Sequence, residues 1–399
     1  MFKYTEKKLA RDIEKAAKKI NPDFRSVYLP ENREVNLSLP GEDDSETRTF
    51  FLGNLFLKFS KMSRIERRGS IESYLRDSLI DKELSPDEWM ASLALQVRTK
   101  FEIEHRNRHI ELKRKPPQSI LFERGQLVVE VVTDSTETMA ITQVDDLVKM
   151  GVTREEAIRI ATAAIRRSTH PDQWENVGES IWVSSYQDDY DFARLVIADE
   201  DLRFPFAGTP IVFSPSRSIC LATDSANADV LSKMIDAGNQ ASSSHRLFSQ
   251  LLWTRGDDNH WEHWKPDETS DASQLVALQV VRETLTQYEE TKKYLERSIT
   301  DDVFIASYTA IENDHGITCY SVYTLDLPSY LPRTDLVMIV DPERPEGESV
   351  IGQLDWSQFE SCCEDLLVIH DITPAWYRIL NPLGSAQKKR MRQLVRPHN

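Results

Sequence analysis

A Ser-Pro-Ser-Arg run holds the clearest candidates for binding a small ligand. Ser214 and Ser216 offer hydroxyls, and Arg217 offers a guanidinium that can grip two oxygens of an anion. Asp188 and Asp191, in an acidic stretch upstream, could complete a ligand-binding or hydrolytic site with Arg217. The alternative, which turn chemistry favours, is a tight turn whose arginine pairs with one of the many carboxylates of this chain.

Two histidines and two acidic stretches are the candidate metal ligands. His260 and His263 lie three residues apart, a spacing at which one helix face could share a metal ion. No third ligand is evident beside them, and their alternation with two tryptophans suits a strand with packed indole rings. The acids at 188–191 and 199–201 lack the glycine and terminal glutamate of a calcium-binding loop. We therefore predict no cofactor and keep His260 and His263 as the candidate metal ligands, with strand packing as the simpler interpretation.

No nucleophile in the sequence has the context that catalysis needs. Cys362 and Cys363 have His370 nearby along the chain, but buried structural thiols explain them better than a reactive site. The sequence has no Gly-x-Ser-x-Gly elbow, no Gly-x-Gly-x-x-Gly, no Walker motif and no Cys-x-x-Cys. Four cysteines in 399 residues are too few for a disulfide scaffold, so we expect reduced thiols. No catalytic residue is predicted.

Charge is distributed unevenly along the chain. The net charge is −16, but residues 1–118 carry +4, residues 119–384 carry −25 and residues 385–399 carry +5. An acidic body repels phosphate backbones, which disfavours nucleic acid as a partner. The exception is the basic tail, where a solvated helix end is the simpler interpretation. Its cations include Lys388, Lys389, Arg390 and Arg392.

Neither a membrane anchor nor an export signal is predicted. No apolar run approaches the roughly 20 residues of a membrane-spanning helix. The first residues lack the apolar core of a secretory signal. With 40% hydrophobic and 29% charged residues, the composition is that of a folded protein. We therefore expect a cytoplasmic protein with sizeable cores.

Residues 1–117 are predicted to form a mainly helical domain. Apolar residues recur at three- and four-residue spacing in three stretches, 9–20, 51–59 and 65–79. The run Ser85-Pro86-Asp87-Glu88 has the pattern of a capping box, in which the serine and the glutamate each accept from the other's backbone amide. This pattern predicts the start of a further helix.

The rest of the chain is predicted to alternate hairpins with helices. Apolar strand pairs flank turns at Gly125, at Ser214 to Arg217 and at Glu312 to Gly316. A long helix is expected at 272–297, and Gly238 is expected to end an earlier one. Because the strands come as hairpins and not as strand–helix–strand units, we predict an α+β fold. A mainly helical N-terminal part would be followed by antiparallel hairpin sheets packed with helices.

Domain boundaries follow from these patterns. Lys113 to Pro117 is the best candidate linker because it combines clustered charge with two prolines. We therefore expect four parts, at residues 1–117, 118–268, 269–384 and 385–399. The second is an α+β domain, the third combines the long helix with a hairpin, and the last is the basic tail.

Three stretches of the sequence have motifs that can be compared with those of known families. Phe51-Leu52-Gly53-Asn54-Leu55 is followed by Glu66-Arg67-Arg68 in the helical N-terminal part. Residues 142–165 contain Asp146 to Thr153 between two predicted helices. Residues 211–225 contain the Ser-Pro-Ser-Arg hairpin described above.

These stretches resemble the YtpQ-like family of uncharacterised bacterial proteins. The similarity covers roughly residues 45–260. Two positions depart from the family pattern, Met150, where the family usually has Trp, and Ser218, where it usually has Asp. The resemblance implies a shared fold and a bacterial cytoplasmic setting, and it implies no activity.

We expect a non-enzymatic protein that acts through contacts with a protein partner, as an adaptor or regulatory factor. This expectation follows from the absence of catalytic motifs in the sequence. The alternative is an unrecognised hydrolase, or an enzyme that binds an anion or small ligand, built on Arg217 and the nearby acids. Convergence of Arg217, Asp188 or Asp191 and a histidine on one pocket would favour the enzyme.

Overall fold

The computed structural model describes most of the chain as two compact units. The described residues are 4–30, 33–41, 47–79, 84–112, 115–135, 138–186, 188–197, 209–242, 248–257, 260–267, 269–313, 316–345 and 347–396. Those within 1–99 and 113–264 form the first unit, and those within 100–112 and 265–399 form the second.

Twelve α-helices lie within the described residues. They are α1 (Glu6–Ile20), α2 (Leu52–Ser60), α3 (Arg64–Leu79), α4 (Pro86–Ala91), α5 (Lys100–Glu111), α6 (Val144–Met150), α7 (Arg154–Arg167), α8 (Asp191–Ile197), α9 (Ala228–Ser242), α10 (Ala272–Ser298), α11 (Trp356–Cys363) and α12 (Ser385–Leu394).

The same residues form twenty-one β-strands. In the first unit they are β1 (Arg25–Leu29), β2 (Glu34–Ser38), β3 (Arg48–Phe51), β4 (Leu93–Thr99), β5 (Leu121–Arg124), β6 (Leu127–Asp134), β7 (Met139–Ile141), β8 (Trp174–Gly178), β9 (Ile181–Ser184), β10 (Ile211–Ser216), β11 (Ile219–Thr223), β12 (Leu252–Arg255) and β13 (Trp261–His263). In the second unit they are β14 (Phe304–Ile305), β15 (Thr309–Asn313), β16 (Gly316–Thr324), β17 (Ser329–Pro332), β18 (Leu336–Val340), β19 (Val350–Asp355), β20 (Val368–His370) and β21 (Trp376–Ile379).

Three helices and a small sheet form the N-terminal part of the first unit. β1, β2 and β3 pair antiparallel in sequence order. Thr5 caps α1 because its side chain accepts a hydrogen bond from the Lys8 amide. The apolar stripe of α1 packs with α2, α3 and one face of the sheet around Leu9, Leu37 and Phe59. The helices predicted at 9–20, 51–59 and 65–79 are confirmed.

Two sheets share one core in the remainder of the first unit. β4, β5, β6 and β7 form an antiparallel sheet, and the other described strands follow the order β13-β12-β10-β11-β9-β8. α7 packs on β4, α9 packs on β10 and β11, and the fully buried helix α8 contacts both β4 and β11. Leu95, Phe192 and Trp261 lie in this common core. α8 therefore links the two sheets.

Gly238 does not end its helix, contrary to the sequence-based prediction. α9 continues to Ser242 and packs on β10 and β11. A Cβ atom at Gly238 would stand 2.8 Å from the ring of Phe213, so the glycine provides room for close helix–sheet contact.

The second unit combines a long helix with two sheets. α10 packs through Tyr288 and Leu295 against the sheet whose described strands follow the order β14-β17-β21-β20. The other sheet follows the order β15-β16-β18-β19, and α11 and α12 pack together beside a core around Tyr323 and Phe359. Two pairings, β14 with β17 and β16 with β18, are parallel. The predicted long helix and the hairpin around residues 312–316 are confirmed.

The fold is α+β, as the hairpin pattern predicts, with several antiparallel sheets packed with helices. Cys220, Cys319, Cys362 and Cys363 are buried free thiols, as expected. A search of the described helices for one long and apolar enough to span a bilayer finds none.

Candidate functional site

The hairpin that carries Arg217 uses a serine hydroxyl to fix its own backbone. β10 runs through Ser216, so the turn lies at Arg217 and Ser218, later than the sequence suggests. Ser214 Oγ lies 2.9 Å from the carbonyl oxygen of Ser216 and 3.0 Å from that of Ile219, close enough to donate to either. Ser214 and Ser216 are fully buried. A ligand in solvent therefore does not reach these hydroxyls.

Asp188 is held by an arginine that the sequence does not single out. Arg194 Nη1 and Nη2 donate to the two carboxylate oxygens of Asp188 at 2.5 and 2.6 Å. The guanidinium carbon of Arg194 also lies 3.8 Å from the centre of the Tyr186 ring. Arg194 is 3% exposed, so this cation is desolvated and depends on the carboxylate and the ring. Both oxygens of Asp188 therefore serve a structural ion pair.

Substitution of Arg194 tests this assignment. We expect Arg194→Met to lower the free energy of unfolding by about 2 kcal/mol, since packing is partly kept but the charged pair is lost. Lys233→Met is the matched control, because Lys233 makes a similar two-oxygen contact to Glu179 with both side chains exposed. Its expected cost is under about 1 kcal/mol. Urea denaturation of both variants gives the comparison, and equal costs would contradict a structural role for the Arg194 pair.

Asp191 belongs to a buried polar group between α8 and β11. It is 0% exposed, and its Oδ1 accepts a hydrogen bond from Ser184 Oγ. Burial raises the pKa of the Cys220 thiol well above its usual value, and the Asp191 charge raises it further. Cys220 therefore stays a neutral thiol and is unsuited to nucleophilic attack. Asp191 acts here as an internal hydrogen-bond acceptor.

Arg217 and Asp189 line a small cavity at the other side of α8. Its volume is about 10 Å³, close to the least that one water molecule needs. Its remaining walls are Val97, Phe192, Ala193 and Phe248. Both Arg217 and Asp189 are engaged in interactions within the chain. The described residues thus bring Arg217 and Asp189 together at a cavity that is too small for a ligand.

The two predicted metal-binding histidines lie at the end of the six-stranded sheet. His260 is exposed just before β13, His263 is partly buried, and Trp261 between them is 1% exposed. Packing of Trp261 fits the strand interpretation of this run. The acids at 199–201 lie outside the described residues. Within the described part of the chain, no three His, Cys, Asp or Glu side chains are placed to hold a metal ion together.

His260 instead lines a surface cleft that the sequence does not reveal. The cleft has a volume of about 460 Å³ and lies between the β5–β6 turn and the β12–β13 hairpin. We call it the acidic cleft. Its lining residues are Glu123, Arg124, Gly125, Gly256, Asp257, His260 and Glu262.

Gly125 joins the two hairpins that form the acidic cleft. Its φ is +69°, and the Gln126 amide donates to the Trp261 carbonyl oxygen at 2.7 Å. The Gln126 side chain accepts from the His263 amide at 3.0 Å. A Cβ at Gly125 would stand 2.2 Å from the Trp261 carbonyl oxygen. The glycine is therefore required both by the turn and by the close approach of β13.

Charge in the acidic cleft is mainly negative. Glu123, Asp257 and Glu262 face one guanidinium, that of Arg124, whose carbon lies 5.2 Å from the centre of the Phe122 ring. All three carboxylates are exposed to solvent, and Glu123 also takes part in an interaction within the chain. Gly256 also lines the cleft and contributes only backbone atoms to it.

The basic tail is paired with acids of its own unit. Lys388 contacts Asp326, Arg390 lies 3.3 Å from Glu364, and Arg392 lies 3.1 Å from Asp341. Farther on, Arg396 pairs with Asp355 and its backbone bridges to Gln353. Lys389 is exposed. These ion pairs neutralise much of the positive charge of the tail. The tail is therefore a weaker candidate for binding nucleic acid than its sequence suggests.

Comparison of the chain with models of known protein families, with curated proteins and with solved structures finds no match. The arrangement of charges and cavities described above is therefore the basis on which function is assigned.

Proposed function

We propose that this chain is a non-enzymatic binding protein that receives a basic segment of a partner protein in the acidic cleft. The observation that carries the proposal is the meeting of Glu123 with Asp257 and Glu262 across two hairpins at one cleft. Each carboxylate can accept hydrogen bonds from a lysine or from both arms of an arginine. The cleft therefore fits a partner segment that carries several lysine or arginine side chains.

Size and charge support the same proposal. The cleft volume of about 460 Å³ lies within the roughly 300–1,000 Å³ typical of ligand sites. Residues 119–384 carry a net charge of −25, which attracts a basic partner over distances of about one Debye length. Complementary charge of this kind raises the association rate and excludes acidic competitors. The adaptor or regulatory role is part of this proposal.

The alternative enzyme built on Arg217 receives less support. Asp188 is bound by Arg194, Asp191 by Ser184, and the cavity beside Arg217 is of water size. His260 lines the acidic cleft instead of that cavity. We therefore keep Arg217 as a structural residue in this proposal.

The setting is also a proposal. We place the chain in a bacterial cytoplasm, as a relative of the YtpQ-like family. The helix pair α6–α7 and the hairpin β10–β11, which carry most of that resemblance, both fall in the first unit.

Neutralising the acidic cleft tests the proposal. The variant is Glu123→Gln with Asp257→Asn and Glu262→Gln, and the probe is a fluorescently labelled arginine-rich peptide followed by anisotropy. We expect at least about a tenfold rise in Kd, because three carboxylate contacts of about 0.5 kcal/mol each are lost.

A second triple variant distinguishes the effect of the cleft carboxylates from the effect of the total charge of the chain. Glu155→Gln, Glu175→Gln and Asp236→Asn removes the same charge from exposed positions that do not line the cleft. We expect less than about a twofold change in Kd for it. Equal weakening by both variants, or no binding by the wild-type chain, would refute the proposal.

A further inference from the structure

Helix α5 of the second unit carries a histidine in an unusual environment. The residues of α5 belong to the second unit, while the chain on both sides of it belongs to the first. Within its unit α5 packs along α10. Ile103 is the one buried residue of α5, and most of the other residues of this helix are partly buried. Polar and aromatic side chains therefore contribute to the contact between α5 and α10.

His105 lies at the centre of that contact. Its side chain is 17% exposed, and its ring stacks on Phe101 with centroids 5.2 Å apart. His109, one turn later, meets it edge-on at 4.4 Å and in turn contacts Tyr294 of α10 at 5.5 Å. Within the described structure, His105 Nδ1 is buried and has no hydrogen-bond partner. A neutral imidazole is tolerated there as part of an aromatic stack.

Most of the charged groups that face His105 oppose a proton on its ring. Arg108 and His109 lie on α5, and Lys293 lies on α10. Glu290 has the opposite effect, but its carboxylate, 3.8 Å from His105 Nε2, also pairs with Lys293 Nζ at 2.7 Å. Burial and then His109 lower the pKa of His105 from 6.5 to about 4, against the smaller opposite effect of Glu290.

Other ion pairs hold the surroundings in place. Arg108 donates to the carbonyl oxygen of Thr373 at 3.0 Å and to Glu104 at 3.0 Å. Lys293 has a second acid, Glu289, at 3.2 Å. The cations therefore stay near His105, because each is fixed by partners of its own.

We propose that the contact between α5 and α10 is a proton-sensitive latch, which releases α5 when His105 becomes protonated. A charged imidazole would be buried without a partner for Nδ1–H and beside two cations. Release returns the ring to water, where its charge is solvated.

The direction of the pH dependence follows from the two states. The proton binds more weakly in the latched state than in the released one, so acidification favours release. The effect begins as pH falls below the ordinary histidine pKa of 6.5 and levels off below about 4. At about pH 5 the opening equilibrium is expected to rise about tenfold over its value at about pH 7, allowing for the partial exposure of the ring.

Hydrogen–deuterium exchange of the full-length chain tests the latch. Peptides that cover α5 are compared at about pH 7 and about pH 5, after correction for intrinsic exchange rates. In the wild-type chain we expect about a tenfold loss of protection in α5 at the lower pH. In His105→Phe, which keeps the aromatic stack and cannot be protonated, we expect no pH-dependent loss.

Two further variants decide between outcomes. His105→Gln serves if His105→Phe does not fold, and the same absence of pH dependence is expected. His260→Gln removes an exposed histidine of the first unit and should leave the wild-type response intact. Loss of protection that persists in both His105 variants would overturn the proposal and implicate another group, such as His370, whose pKa burial also lowers.

Discussion

Replacement of Glu130 with alanine is expected to lower the free energy of unfolding of the first unit by about 3 kcal/mol or more. Glu130 is 0% exposed in the middle of β6, opposite Gln96 of β4. Arg98 Nε donates to its Oε2 at 3.2 Å, and Arg98 is itself nearly buried. Removal of the carboxylate leaves a desolvated guanidinium without this partner, which is the costly half of a broken buried pair.

Removing both charges together should restore much of the loss. Arg98→Met with Glu130→Leu replaces the pair by apolar side chains of similar volume, a change that is often neutral in buried pairs. Urea unfolding is best followed by hydrogen exchange in peptides from β4 and β6, because a two-unit chain need not unfold in one step. A Glu130→Ala cost below about 1 kcal/mol, or a double variant no better than the single one, would contradict this account.

The second large effect is expected for Gly125→Ala. A methyl group there would overlap the Trp261 carbonyl oxygen at 2.2 Å, and the residue needs a φ of +69°. Left-handed backbone alone costs alanine about 1 kcal/mol, and displacement of β13 adds more. We expect a total loss of about 3 kcal/mol in unfolding free energy and at least a tenfold weaker affinity for the arginine-rich peptide.

Gly151→Ala is the matched control for this prediction. Gly151 caps α6 with a φ of +68°, and nothing lies within 4 Å of the Cβ position. It therefore carries the backbone strain without the overlap, so a cost near 1 kcal/mol and unchanged peptide binding are expected. Equal costs for the two variants would show that the approach of β13 to Gly125 is not tight.

Local patterns account for the parts of the fold that could be predicted. The Ser85 capping box and the Gly125 turn are local patterns, and both form as the sequence predicts. Gly238 misleads because its role is set by Phe213, a residue distant in sequence but adjacent in space. Ile65 fits the apolar stripe of α3 but is 87% exposed, because the buried residues of that helix begin only at Ile71.

In the candidate site, too, local features can be predicted from the sequence and long-range contacts cannot. The hairpin around Ser214 and Arg217 is readable from strand and turn residues, yet the pairing of Asp188 with Arg194 depends on how α8 packs. The acidic cleft requires the β5–β6 turn to meet β13, more than a hundred residues later in the chain. The spacing of His260 and His263 suggests a shared metal ion, whereas the structure places His260 in one cleft with Glu123. Long-range contacts of this kind have no signature in a single sequence.

The most direct test of the central claim is the salt dependence of peptide binding to the wild-type chain and to the cleft-neutral triple variant. Kd values for the arginine-rich peptide are measured at about 50 mM and about 500 mM NaCl, since screening shortens the reach of exposed charges. We predict that at low salt the wild-type chain binds at least about tenfold more tightly than the variant, and that high salt removes most of this difference. Identical affinities at low salt would contradict the assignment of the acidic cleft as the binding site.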